Sequence, residues 1–262
     1  MDPALRTAAS GMAAQQLRTE VIANNLANVN TTGFKRSRPQ FEDLLYQTIQ
    51  NGGYVDTRDT RATPSIQVGR GTHLSAIQRQ HQQGTLESTG RPLDLAIEGD
   101  GFFQIQLPTG EIAYSRDGGF QISDQGVLTT SGGYGLVPSV RIPTDAVSVT
   151  ISKTGVVSVD RGNASELSEI GRIELARFSN PAGLLTLGEN LYRQTPASGQ
   201  PVLGFPQDAG FGRTMQGALE GSNVEIVNEM VDMISAMRAY EINSKAIKNA
   251  DEMSSIATQL LR

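Results

Sequence analysis

Two histidines, His73 and His81, stand eight positions apart, and on an extended chain their side chains would project from the same face. Metal binding or proton transfer would need a further ligand or a carboxylate partner close by, and none stands near them. Both read as surface or turn histidines. Glu98 and Asp100 flank Gly99, with Asp117 and Asp124 further on, so a carboxylate pair of the kind that cleaves glycosidic bonds is conceivable. Each of these aspartates lies in an Asp-Gly or Asp-x-Gly setting, however, which is what a tight turn between strands requires. Gly99-Asp100-Gly101 has the start of a dinucleotide loop, but Gln104 stands where the next glycine belongs and β-forming residues follow where a helix should open. Asn30-Thr31-Thr32 and Asn163-Ala164-Ser165 match the glycan acceptor pattern, which is frequent by chance. Met230, Met233 and Met237 keep helical spacing, which suits adaptable packing against another helix. The residues therefore point to no catalytic group, no cofactor and no metal.

The composition narrows the partners. The 262 residues are 38% hydrophobic, enough to bury a sizeable core, while aromatics reach only 5% and Trp and Cys are absent. Without cysteine there are no disulfides, thiolate ligands or thiol nucleophiles, which suits a chain that enters an oxidising compartment without being stapled there. The net charge of −5 argues against a nucleic-acid partner, and Lys35-Arg36-Ser37-Arg38 is the one short basic cluster. Met1-Asp2-Pro3-Ala4-Leu5-Arg6 lacks a basic start followed by an apolar run, so no cleavable signal peptide is expected. No apolar stretch approaches the ~20 residues of a membrane span, so no membrane insertion is expected.

The elements that would position these residues differ between the ends and the middle. Asp2 can cap a helix and Pro3 then occupies its first position, where the missing N–H costs nothing. Leu5, Ala9, Met12, Gln16, Thr19, Ala23 and Leu26 recur at steps of three and four, a seam of mostly small or polar residues running toward Asn30. At the other end, Ser222-Asn223-Val224-Glu225 reads as a capping box that opens a second helix. Its apolar stripe passes through Ile226, Met230, Met233, Met237 and Tyr240, then changes face to Ile242, Ala246, Met253, Ile256 and Leu260. A stripe that changes face suggests several neighbours. One reading is an antiparallel coiled coil within the chain. The other is that helices this long and this weakly apolar become ordered when copies of the chain pack together.

Between the helices the period changes to two. Phe103, Ile105 and Leu107 alternate with Phe102, Gln104 and Gln106, Pro108-Thr109-Gly110 makes a turn, and a strand resumes from Ile112 to Arg116. Further short runs lie at Phe120 to Ile122, Val127 to Thr129, Val147 to Ile151, Val156 to Val159 and Ile173 to Phe178. The expected class is α+β. A discontinuous pair of long terminal helices (1–32 and 222–262) forms a coiled-coil-like domain. A β-rich antiparallel domain (85–195) is inserted between extended connectors (33–84 and 196–221).

The run from Ile22-Ala23-Asn24-Asn25-Leu26-Ala27-Asn28 through Val29-Asn30-Thr31-Thr32-Gly33-Phe34-Lys35 closely resembles the N-terminal signature of bacterial flagellar rod and hook proteins. Arg238-Ala239-Tyr240-Glu241-Ile242-Asn243-Ser244-Lys245-Ala246 is similar to their C-terminal signature. Gly99-Asp100-Gly101-Phe102-Phe103 and Tyr114-Ser115-Arg116-Asp117-Gly118 resemble their central motifs. Within the family, Phe41 to Ile49 and Gly188 to Tyr192 are most similar to the distal rod members. The resemblance implies terminal helices packed around a channel, a β domain outside them, and a connector, about 46–71, that locks neighbours into a straight tube. It implies a helical homopolymer, a hollow shaft that carries motor torque to the hook, with proximal rod proteins, hook protein and the P and L ring proteins as partners. It also implies export by the flagellar type III apparatus to the part of the basal body that spans the periplasm. Leu5, Met12, Ile22, Leu26, Met230, Met233, Met237, Tyr240, Ile247 and Met253 are then expected at subunit interfaces, in heterologous contacts that do not close into a ring. A proximal rod or hook subunit shares the terminal signatures, and a secreted β-rich cell-wall hydrolase is the reading from another class.

Overall fold

The computed structural model describes residues 3–50, 53–56, 59–63, 65–162 and 168–260; Asp2 and Asn163-Ala164-Ser165 lie outside them. A helix stands at each end of the chain and a large antiparallel β-rich region lies between, an α+β organisation as expected. Contacts divide the chain into two units, the first from Met1–Leu26, Ser37–Gln78 and Glu225–Arg262, the second from Ala27–Arg36 and Arg79–Val224.

In the first unit, α1 spans Pro3–Ala27 and α2 spans Ile226–Leu260, so the helices are about 37 Å and 52 Å long at ~1.5 Å per residue. They run antiparallel. Asn25 Nδ2 donates to Glu229 Oε2 (3.1 Å), Arg18 reaches Asp232 (2.9 Å), and a Cβ on Gly11 would stand 2.9 Å from Asn243 Nδ2. Continuing that register brings the start of α1 near Ala250 and leaves the last turns of α2 running past it.

The seam between the helices differs from the expected one. Ala14, Val21, Ile22 and Asn25 are buried on α1, and Glu229, Ala236 and Ala250 on α2, whereas Ala9, Gln16 and Ala23 are exposed. The reason is polar pairing: Asn25 and Arg18 find acidic partners on α2 and turn their own face inward, and Ala and Gly fill the remaining close approach. Because Ala236 is fully buried, Ala236→Leu overpacks this seam and should cost about 1–3 kcal/mol, read as a lower thermal midpoint of the helical circular dichroism signal.

Both helix ends depart from the sequence reading. α1 stops three residues before Asn30, because Asn28 O accepts the Thr31 N–H (3.2 Å) and Thr31 O that of Phe34 (3.3 Å). Gly33 follows at φ +68°, where a Cβ would meet the Asp117 nitrogen at 2.7 Å. α2 opens at Ile226 and not at Ser222, and the capping box is not formed: Ser222 Oγ accepts the N–H of Val224, and the first helical bond runs from Glu229 N to Glu225 O. Residues 222–224 are committed elsewhere. Asn223 accepts the Arg36 N–H through Oδ1 (2.7 Å) and donates through Nδ2 to the carbonyls of Gln80 (2.8 Å) and Gln82 (3.0 Å).

The second unit is built on a sheet centred on Phe102–Gln106, which pairs antiparallel with Ile112–Ser115, Gly135–Val137 and Leu175–Arg177. Ser148–Ile151, Val156–Asp160 and Ser168–Arg172 form a separate three-stranded meander. The central strand does not show the one-sided burial that its alternation suggests. Phe103 and Ile105 enter an aliphatic core with Leu95, Ile97, Leu136 and Val157, while Phe102 on the other face joins an aromatic cluster with Tyr114, Phe178 and Tyr192. Gln104, buried on that second face, donates to Glu174 (3.2 Å). Asp117-Gly118-Gly119 serves a close backbone approach: a Cβ on Gly118 would lie 1.7 Å from the Leu95 carbonyl oxygen.

The stretches read as connectors carry strands. Val202–Gly204, Arg213–Gln216 and Ala218–Glu220 pair with Leu175–Arg177, Leu95–Glu98 and Leu86–Ser88 respectively. In the first unit Ser37–Asp43 pairs with Thr72–Arg79, Gln47–Gln50 with Ile66–Val68, and Gly53–Asp56 with Asp59–Thr63. These are short two-stranded ladders, and the few apolar residues of Gln47–Gln50 and Ile66–Val68 are exposed, so the apolar-in, polar-out alternation of a half-buried sheet does not mark them.

Candidate functional site

The residues with catalytic chemistry fall into turns and ion pairs. Glu98 and Asp100 line an open cleft of about 430 Å³ with Gln207, Phe211 and Arg213. Arg213 grips Glu98 through two bonds of 2.6 and 2.8 Å, and that hydrogen bond holds the Glu98 carboxyl below its ordinary range. A general acid needs the opposite shift. Asp117 Oδ1 accepts the Gly119 N–H (3.1 Å), and Gly126 N bonds Ser123 O (2.8 Å), the turn roles expected of Asp117 and of the Asp124-Gln125-Gly126 stretch. Among the described residues no group of three or more His, Cys, Asp or Glu side chains could hold a metal ion.

Two buried polar knots hold the chain where it enters each unit. In the first, the Asn25 side chain bonds Ser37 reciprocally, Nδ2 to O and N to Oδ1 at 2.9 Å each, besides reaching Glu229. One amide thus ties α1, the strand that starts at Ser37 and α2. In the second, Lys35 Nζ meets Glu220 Oε1 at 2.6 Å and donates to Gln82 O at 2.7 Å, while Arg116 Nη1 lies 3.4 Å from Glu220 Oε2. Lys35 and Glu220 have no exposed side-chain surface and Arg116 has 3%. Burial pulls both cations below their ordinary pKa, against the upward pull of Glu220. The basic cluster at 35–38 is therefore in part interior. Sequence reasoning missed the roles of Lys35, Arg116, Glu220 and Glu229; the readable signal was Glu229 at a position where the helical spacing of Met233, Ala236 and Asn243 continues inward.

The larger exposed apolar surface of the first unit lies on α2. Val227 (73% exposed), Met230, Val231 (58%), Ile234 (52%) and Met237 recur at three and four residue steps along one outward face. Nearer the C-terminal end Ile242, Met253 and Ile256 are also more than half exposed. A second apolar patch in the same unit stands on the ribbon of Gln47–Gln50 and Ile66–Val68, with Leu45, Tyr46, Ile49, Ile66 and Val68 exposed. Two-stranded ribbons of this kind are marginal by themselves.

Of the residues expected at interfaces, Met230, Met237, Tyr240 and Met253 are exposed, Leu5, Met12, Leu26, Met233 and Ile247 are half-buried, and Ile22 is already buried within the unit.

Three family models match along the chain. Residues 5–35 match one described as flagella basal body rod protein, residues 96–159 the flagellar hook protein FlgE/F/G D1 domain, and residues 215–260 the flagellar basal body rod FlgEFG protein C-terminal. The flagellar basal-body rod protein FlgG of Borreliella burgdorferi is 52% identical over 99% of this chain and 98% of its own length. That of Agrobacterium fabrum is 49% identical over 99% of both. The flagellar basal-body rod protein FlgF of Caulobacter vibrioides is 34% identical, over all of this chain and 98% of its own length. The chain belongs to the flagellar basal-body rod proteins. It is a structural subunit of the bacterial flagellum, with its place in the basal body and its work in assembly with other basal-body components. The rod-protein matches also fall on the two polar knots: 5–35 holds Asn25 and Lys35, and 215–260 holds Glu220 and Glu229.

Proposed function

We propose that this rod subunit builds the distal part of the rod as a helical homopolymer, a rigid hollow shaft that passes motor torque to the hook without any chemical step. The observation that carries the reading is the outward apolar stripe of α2, from Val227 to Met237, on a helix whose inward seam is small and polar. Covering the exposed part of four or five such side chains would contribute on the order of 1 kcal/mol each, and a neighbouring copy is the surface available in a polymer. The identity of 49–52% to proteins named FlgG, against 34% to one named FlgF, supports the distal assignment.

In this reading α1 and α2 form the coiled-coil-like core domain, with residues 85–195 as an outer β domain. Met230, Met237, Tyr240 and Met253 bury on assembly together with the remaining surface of Leu5, Met12, Leu26, Met233 and Ile247. The ribbon within 46–71 braces neighbours. Proximal rod proteins, hook protein and the P and L ring proteins are the further partners, and the type III apparatus exports the chain without signal cleavage. Nothing in the shaft's work calls for an enzyme.

Limited proteolysis and circular dichroism on dilute monomer and on assembled material test the proposal. The expected result is that α1 and α2 are cut readily in the monomer and protected in the polymer, with a gain of helical signal. Ends equally helical and resistant in a monomer that never polymerises would overturn it.

A further inference from the structure

His81 is half-buried in the second unit, edge-on to Phe102 (ring centroids 5.6 Å apart) and to Tyr192 (5.3 Å). It is not the surface histidine that its sequence setting suggests. Its Nδ1 is buried without a hydrogen-bond partner among the described residues. The charged groups acting on it are all cationic: Lys35 from the segment after Gly33, Arg116 from the end of the Ile112–Ser115 strand, and Arg79 from the Thr72–Arg79 strand. The carboxylate of the cluster, Glu220, is already shared by Lys35 and Arg116, and Asp100 acts on Arg116. The Tyr192 phenol is pushed up by burial and so stays neutral. Only a hydrogen bond with the Pro181 backbone favours a charged ring.

The residues on either side of His81 hold the chain segments of this unit together. Gln80 N donates to Arg36 O (2.9 Å), the Gln80 and Gln82 carbonyls accept from Asn223, and Gln82 O accepts from Lys35. A charged imidazole at 81 meets no free anion among the described residues, so its protonation favours leaving the site, together with the flanking Gln80 and Gln82.

We propose that His81 is an acid-sensitive latch whose protonation releases segments 27–36, 79–84 and 218–224 of the second unit together, ahead of its β core. Burial first, and then the cations Lys35, Arg116 and Arg79, lower its pKa from 6.5 to about 4. The released segment, with an ordinary histidine, binds the proton more tightly than the closed one. The latch is therefore at full strength above pH 6.5 and is lost as the pH falls toward 4.

Hydrogen exchange read by mass spectrometry tests this on the full-length monomer at pH 7.5 and 4.5, with exchange times scaled for the intrinsic rate. Linkage from these pKa values gives a loss of protection on the order of 50-fold in peptides covering the three segments, while peptides covering Phe102–Gln106 keep theirs. His81→Phe and His81→Gln should remove most of that loss. Unchanged protection in the wild type, or equal loss in a folded His81 variant, would overturn the latch and assign any acid effect to Glu220. An NMR titration of the wild-type ring gives a reading independent of any variant: titration near the ordinary histidine value refutes it.

Discussion

Ile234→Lys together with Met237→Lys should leave the monomer's stability within about 0.5 kcal/mol of wild type and abolish polymerisation. Both positions are about half exposed on α2, at 52% and 49%, and lysine is a good helix former, so the isolated chain has little to lose. In the polymer the same positions meet apolar surface, and each change removes on the order of 1 kcal/mol of further burial and adds a charge that must be desolvated. A loss of about 3 kcal/mol per copy raises the concentration needed for growth by more than 100-fold. Sedimentation of the double variant at increasing concentration measures this directly, with thermal denaturation as the control. Polymers formed at the wild-type concentration would remove the α2 stripe from the interface.

The largest effect on a single copy should come from Glu220→Gln. This carboxylate meets Lys35 at 2.6 Å and Arg116 at 3.4 Å, and neither cation has more than 3% exposed side chain. Its loss strands two buried charges, and breaking a buried pair in this way costs about 3–5 kcal/mol. Lys35→Met should cost less, because Arg116 still faces Glu220 and a methionine can occupy the lysine's apolar path. Urea unfolding followed through the second unit's β signal gives both values. The order matters more than the sizes: if Lys35→Met is the more damaging, the cluster is held mainly by the Lys35 bond to Gln82 and not by its charge balance.

The α+β organisation was legible in the sequence because its punctuation is local. Pro108-Thr109-Gly110 and Asp117-Gly118-Gly119 mark turns whose geometry needs those residues, and Ile112 to Ser115 could only be a strand between them. The seam between α1 and α2 was not legible, because Ala14, Asn25, Glu229 and Ala236 carry no hydrophobic period. The stronger apolar period on α2 faces outward, with Met230 and Met237 shared between it and the stripe read from the sequence, so periodicity pointed away from the inward face. The capping box at Ser222 misled for a related reason: its motif was intact, but Asn223 had long-range obligations to Arg36, Gln80 and Gln82. Lys35 and Glu220 stand 185 residues apart, and no local rule joins residues at that distance.

The contact between Asn25 and Glu229 spans 204 positions, and this has a consequence for how the molecule comes into being. On the ribosome α1 emerges first and α2 far later, with nearly the whole β region made in the interval. Until then α1 has no mate, and a solitary helix of 25 residues lined by alanine, glutamine and asparagine is marginal in water. Pairing of the two helices therefore has to wait until most of the chain has been made, with the β region already complete ahead of it.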